Sequence, residues 1–325
     1  MKRIVRPLLA IALAAVLIFG GGYIWFVSWL DRPGPAAQET VIVIPRGSGV
    51  TAIARLLTRG GVVSNARLLE FAASYTGTRT KLKAGEYQFA PGETPRGVLE
   101  QIAAGRVLIH RLTIPEGLTT AEIRQLIAGA DALSGDWPQE NIPEGSLLPE
   151  TYHYIRGDSR SDLVHRMQQA EKSLLAELWA KRAPGLPLAN PEQAIVLASI
   201  VEAETPIAEE RPRVAAVYLN RLKKGMRLQA DPTVAYGLTK GEHPLDRPLS
   251  HADLAAASPW NTYLIDGLPP TPINHPGRAS LAAVLQPEQN DYLFFVANGR
   301  GGHVFAETYE QHLRNVAAYR AERKR

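Results

Sequence analysis

The chain contains no cysteine in 325 residues. This excludes disulfide frameworks, thiolate zinc sites, iron–sulfur clusters and cysteine nucleophiles together, and it leaves the compartment open. A basic excess is also missing from the body of the chain. The formal net charge is +4, yet Lys2, Arg3 and Arg6 supply three positive charges, Arg320 to Arg325 supply another net three, and the remainder carries −2. Tracking a phosphate backbone needs a basic stripe, so nucleic acid is excluded as a partner. The eight histidines form no His-Glu-x-x-His and no helical pair at ligand spacing, which argues against a metal. Gly-x-Ser-x-Gly, the P-loop and the dinucleotide glycine pattern are absent too, so no cofactor is expected.

Long apolar runs are scarce, and the single one present is informative. Residues 7–30 (PLLAIALAAVLIFGGGYIWFVSWL) carry no charge. As a helix they span about 36 Å, enough for a hydrocarbon core of about 30 Å. Lys2, Arg3 and Arg6 precede the run, which predicts a cytoplasmic N-terminus (residues 1–6). Tyr23, Trp25 and Trp29 stand near its far end, where amphipathic rings favour the interface. A cleaved signal peptide fits less well, because Ala12-Leu13-Ala14 falls in the middle of the run. The expectation is a single-pass anchor over 7–30, with everything after Leu30 exported.

The rest has the composition of folded protein, 45% apolar and 21% charged overall. Asp31-Arg32-Pro33-Gly34-Pro35 reads as the start of a linker over 31–39. Thr40 to Ile44 reads as a strand, followed by a helix capped by Ser48 and stopped at Gly60-Gly61. A second helix follows Ser64-Asn65, a strand covers Leu82 to Phe89, and Thr94-Pro95 opens another helix. Strand, helix, helix, strand suits either a small sugar-binding module or a plain α+β spacer. Beyond it, Arg111 to Ile114 is a strand and Thr119-Thr120 starts a helix. Ser134 to Pro149 is a surface loop, and Ser161 to Arg182 a long amphipathic helix whose apolar stripe is core. Tyr292 to Val296 and His303 to Phe305 form a hairpin across a glycine-rich turn.

Asn190 to Pro206 (NPEQAIVLASIVEAETP) carries the most chemistry. Asn190 caps a helix, Pro191 suits its first position, and Gln193 has capping-box spacing. From Ala194 to Val201 every residue except Ser199 is apolar, the mark of a buried helix. Glu202 stands at the end of that run, and Pro206 stops the helix. Desolvation and the negative helix end would both raise the pKa of Glu202, as a proton donor near neutral pH requires. The alternative is a helix-end glutamate in water. Glu204, two residues on, lies on another face and reads as a solvent or supporting group. Asp231, in Asp231-Pro232-Thr233, is either a second functional carboxylate or a helix cap. Ser258 to Tyr263 and Gly267 to Pro270 form a loop of planar rings that would stack on sugars or simply be rigid.

These residues resemble a known family. Leu197 to Thr205, Asn220-Arg221-Leu222, Met226 to Thr233, Asn261-Thr262-Tyr263 with Gly267 to Pro270, and Gly302 to Phe305 are similar, in order, to motifs of the MltG (YceG-like) endolytic murein transglycosylases. The resemblance implies an α+β fold: the N-terminal transmembrane helix, a small LysM-like α/β module at 40–106 and a larger mixed α+β catalytic domain at 107–325. It implies cleavage of the MurNAc–GlcNAc β-1,4 bond of nascent peptidoglycan strands, leaving a 1,6-anhydroMurNAc end. Glu202 would be acid and then base, while Gln229, Asp231, Asn261, Tyr263 and His303 would line the glycan cleft. It further implies residence in the bacterial inner membrane with the catalytic domain periplasmic, and contact with cell-wall synthases. The alternatives are a peptidoglycan hydrolase and a non-catalytic wall-binding scaffold.

Overall fold

The computed structural model describes residues 2–322, with side chains from Leu8 onward. The side chains of Lys2, Arg3 and Arg6, on which the predicted orientation rests, and residues 323–325 of the basic tail lie outside that description. The chain divides into two compact units, Met1–His110 and Arg111–Arg325.

In the first unit α1 (Lys2–Leu30) is the apolar helix, and its stretch Leu8–Leu30 is long and apolar enough to cross a membrane. Then come β1 (Thr40–Ile44), α2 (Val50–Arg59), α3 (Ala66–Tyr75), β2 (Gly85–Phe89) and α4 (Pro95–Ala104). β1 and β2 pair antiparallel, Thr40 opposite Phe89 and Ile44 opposite Gly85. The order is therefore the expected strand, helix, helix, strand. The Asn65 side chain caps α3 through the Leu68 amide, and Thr94 caps α4 through Gly97. Ser48 does not cap α2. Gly49 occupies the cap position without a side-chain bond. Ile53, Leu57, Leu69, Tyr87, Phe89, Leu99 and Ile102 make the core, and Phe26, Trp29 and Leu30 from the end of α1 join it. The expected 31–39 linker is tied down as well. Gly34 N–H bonds the carbonyls of Gly92 and Glu93, Gly92 N–H bonds that of Ala36, and Asp31 pairs with Arg96.

The second unit contains β3 (His110–Thr113, beginning one residue earlier), α5 (Thr120–Ala128), β4 (Thr151–Tyr154), α6 (Arg160–Ala180), α7 (Pro191–Glu204), α8 (Arg211–Lys223), α9 (Asp231–Thr239), α10 (His251–Ala255), α11 (Arg278–Leu285), β5 (Phe294–Ala297), β6 (His303–Ala306) and α12 (Tyr309–Glu322). β3 pairs with β4, and β5 with β6, giving two further two-stranded sheets. The β5–β6 hairpin is the expected one, with Phe294 opposite Ala306 and Ala297 opposite His303. Thr119 and Glu122 complete a capping box at α5. The 134–149 stretch is not wholly a surface loop, since Ile142, Leu147 and Leu148 are buried. A large core gathers α7, α8 and α11 with the flank of α6. This core holds α7 in place, and the site hangs on its end.

The α6 stripe is core as expected, with Leu163, Met167 and Leu174 buried, but Glu171 is buried among them. Neither of its carboxylate oxygens has a hydrogen-bond partner. Desolvation pushes its pKa from 4.5 up to about 8. Between those values the folded chain holds a proton that the unfolded chain releases. Its contribution is therefore most favourable below about pH 4.5 and is lost as pH rises toward 8. Glu171→Met should stabilise the chain at pH 8 by on the order of 3 kcal/mol and by little at pH 4. Urea midpoints at the two pH values check this.

Candidate functional site

α7 is built to deliver two carboxyl groups to its C-terminal end. The Asn190 side chain caps the Gln193 amide, with Pro191 in the first turn. Gln193 does not close a capping box onto Asn190; its Oε1 accepts from the Ala189 amide. Ala194 and the run from Val196 to Val201 are buried on every side. Ser199, the polar exception, accepts from the Ile273 amide, and its carbonyl accepts from Asn274. That clamps the helix to the loop before α11. Thr205 is extended, as a residue before proline prefers, so the helix stops at Glu204.

Two residues of separation is about 200° of helix rotation, which sends Glu202 and Glu204 to different neighbours. Glu202 enters a closed ion-pair cluster. Arg211 Nη2 donates to its Oε1 at 2.8 Å, and the Gly277 amide donates to Oε2 at 2.9 Å. Arg211 Nη1 also donates to Glu116 at 3.2 Å. The side chains of Glu202 and Arg211 are 5% and 9% exposed. The Glu116 carboxylate lies where a Cβ at Gly277 would project, so a side chain there would displace Glu116 from the cluster. The sequence showed only the apolar run and the helix end. The structure adds a cation and an amide, both donating to the carboxylate.

Glu204 faces a different set. Tyr218 on α8 donates to Glu204 Oε1 at 2.8 Å. Desolvation dominates and pushes the Glu204 pKa up to about 7. The Tyr218 bond opposes that rise, the Asp231 charge adds to it, and His303 and Arg221 oppose it. As a whole residue Glu204, like Glu202, is half-buried. A desolvated carboxyl whose pKa lies near neutrality has the proton affinity that a general acid requires.

Three of the expected cleft residues gather there. Asp231 opens α9 without capping it, since Ala230 holds the cap position and makes no side-chain bond. Instead the Asp231 carboxylate accepts from Tyr263 Oη at 2.6 Å. Tyr263, whose pKa is raised chiefly by desolvation and then by Asp231, also feels Glu204. His303, first residue of β6, pairs through Nδ1 with Glu210 Oε2 at 2.7 Å, and its amide donates to Oε1 of the same carboxylate. Gln229 is exposed and left-handed (φ 52°), a strained state for a non-glycine residue beside Asp231. Its amide donates to the Thr262 carbonyl.

Asn261 is the exception. It is fully buried, its Nδ2 donates to the carbonyls of Leu254 and Ala256, and its Oδ1 accepts from the Tyr263 amide. All its hydrogen-bonding groups serve the loop, so it positions Tyr263 instead of lining a cleft. Tyr218, Arg211 and Glu210 complete the surroundings without having been singled out from sequence, and Arg221 comes from the Asn220-Arg221-Leu222 motif. Tyr218 did leave a signal, for a tyrosine on a buried helical face needs a partner for its hydroxyl.

Two hollows lie alongside. One of about 180 Å³ is bordered by Ala203, Pro232 and Tyr236. A larger cleft of about 1120 Å³ is lined by Trp137, Glu144, Tyr236, Lys240 and Trp260. Tyr236 and Gly241 line both, and the smaller one is bordered by Ala203 and Pro232, the chain neighbours of Glu204 and Asp231. Trp260 comes from the loop of planar rings. Lys240 sits over its ring at 3.8 Å, and its indole donates to Thr271. Among the described residues no group of three His, Asp or Glu side chains is placed to hold a metal ion.

Known proteins share this chain's pattern. An endolytic murein transglycosylase of Bacillus subtilis is 30% identical, over 93% of this chain and 91% of its own length. One of Streptococcus pneumoniae is 27% identical over 93% of this chain and 63% of its own length. The crystal structure of a YceG-like protein from Listeria monocytogenes superposes with a TM-score of 0.52 at 29% identity, over 86% of this chain and 99% of that one. The YceG-like family itself matches residues 42–318, a span that takes in both α7 carboxyls, the Asp231–Tyr263 pair and His303, and the chain belongs to that family.

Proposed function

We propose that this chain is a membrane-anchored endolytic lytic transglycosylase of peptidoglycan, with Glu204, rather than the expected Glu202, as its acid and base. The supporting observation is the Glu204 carboxyl, desolvated to a pKa of about 7 beside Asp231, Tyr263 and His303. Protonated Glu204 donates to the oxygen of the MurNAc–GlcNAc β-1,4 bond as the C1–O bond breaks. The resulting carboxylate then takes the proton from the C6 hydroxyl of the same MurNAc, whose oxygen bonds to C1. Glutamic acid is restored, a 1,6-anhydroMurNAc end remains, and no water is consumed. One carboxyl that is half protonated near neutrality can serve both steps, whereas inverting and most retaining glycosidases use two. Asp231 holds Tyr263, and the aromatic cleft at Trp260 and Tyr236 supplies faces for sugar rings. Glu202, paired to Arg211, holds α7 to its neighbours. The first unit serves as a LysM-like module on an inner-membrane anchor, and the catalytic unit lies outside the cytoplasm.

The pH dependence of cleavage of isolated glycan strands tests the assignment. The acid must be protonated, so kcat/KM should fall as pH rises through about 7. Tyr218→Phe removes a donor that holds the pKa down. It should move that alkaline limb to higher pH by on the order of one unit. A limb that stays in place in Tyr218→Phe, or lies far from neutrality in the native chain, contradicts the role of Glu204.

A further inference from the structure

The far end of α1 does not stand free of the first unit. Phe26, Trp29 and Leu30 are 6%, 8% and 0% exposed and belong to that unit's core. They cannot also face lipid. The part of the helix left for a bilayer runs from Leu8 to Trp25, about 27 Å, close to a hydrocarbon core of about 30 Å. The membrane boundary then falls at Tyr23 to Trp25.

α3 is fastened at that level. Tyr23 and Tyr75 share a hydrogen bond at 2.8 Å between their hydroxyls. The Phe26 ring packs edge-on against Phe71, with centroids 4.9 Å apart, and against Tyr75 at 5.5 Å. Yet Phe71 and Tyr75 remain 59% and 47% exposed. With exposed Arg67 they recur every fourth residue along one face of α3. Exposed Arg79 follows four residues after Tyr75 and donates to Ser74. Two large aromatics between two arginines, continuous with the emerging end of an apolar helix, match the headgroup layer: rings at the boundary, guanidinium groups toward anionic lipid.

We propose that the first unit lies on the bilayer through α3, with Phe71 and Tyr75 in the headgroup layer and Arg67 and Arg79 against anionic headgroups. This rests on α1 being an anchor. The face of α3 is then closed to glycan, and any sugar binding by this unit uses another surface.

The absence of cysteine makes the test clean. Phe71→Cys, Arg67→Cys and Leu13→Cys, each in the full chain, are labelled with an environment-sensitive fluorophore. The proteins are reconstituted into phosphatidylcholine–phosphatidylglycerol vesicles with or without chains brominated near the headgroup. The proposal expects blue-shifted emission, at least halved by bromine, at positions 71 and 67 as well as at 13. Arg67 is exposed and its side chain makes no hydrogen bond or ion pair with another described residue, so its label reports even if substitution at Phe71 loosens α3. Quenching at 13 with none at 71 and 67 overturns the proposal and leaves the anchor standing. No quenching at 13 removes the anchor, and the proposal with it.

Discussion

Glu204→Gln is expected to lower the rate of glycan-strand cleavage by about 10²- to 10⁴-fold, the range set by losing a general acid–base group. Glutamine fills the same space and keeps an oxygen for Tyr218, which donates to Glu204 at 2.8 Å in the native chain. Folding should therefore be preserved, and the urea midpoint should stay close to native at pH 6. Glu202→Gln is expected to behave in the opposite way. It weakens a buried ion pair with Arg211, so stability falls while the reacting carboxyl remains. Steady-state rates and unfolding curves on both variants separate the roles. A dead Glu202→Gln enzyme of native stability, beside an active Glu204→Gln enzyme, would return the chemistry to Glu202.

Arg211→Ala should be the most destabilising single change near the site, costing about 3–5 kcal/mol. The cost is less the lost attraction than the charge left behind. Glu202, at 5% side-chain exposure, would keep only the Gly277 amide, and Glu116 would lose its cation. Arg211→Lys should recover only part, because one ammonium cannot reproduce the two separate guanidinium contacts to Glu116 and Glu202. Urea unfolding measures both. A loss under about 1 kcal/mol for Arg211→Ala would mean that the cluster does not hold α7 in place.

Much of the scaffold was legible because its signals are local. Asn65, Thr94 and Asn190 each cap the helix their position predicted, and the apolar run after Asn190 is buried all round. What was not legible depends on contacts distant in sequence. α11 was missed. It is short, lacks a side-chain cap, and is stabilised by packing in the α7–α8 core. β4 was missed just after the polar, proline-containing stretch that ends at Pro149, and it is held by pairing with β3. Asp31 to Pro35 has the composition of a free linker, yet Arg96 and the backbone around Gly92 tie the segment down.

The site divides in the same way. Asp231, Tyr263 and His303 could be named from motif order, while Asn261, equally prominent in sequence, turned out to be committed to its own loop. The apolar run pointed to the first glutamate after it. Nothing in residues 190–206 shows that Arg211, nine residues after Glu202, returns to pair with it, or that Tyr218, fourteen residues after Glu204, comes back from α8 to donate to it. Burial made both carboxyls unusual. Only their partners distinguish them.

The most direct test is the mass of the glycan ends released from purified strands by the native chain and by Glu204→Gln. The account predicts fragments ending in 1,6-anhydroMurNAc, each one water lighter than a hydrolysis product, with almost none from Glu204→Gln. Fragments that carry only hydrated reducing ends, or anhydro ends released at the native rate by Glu204→Gln, would contradict it.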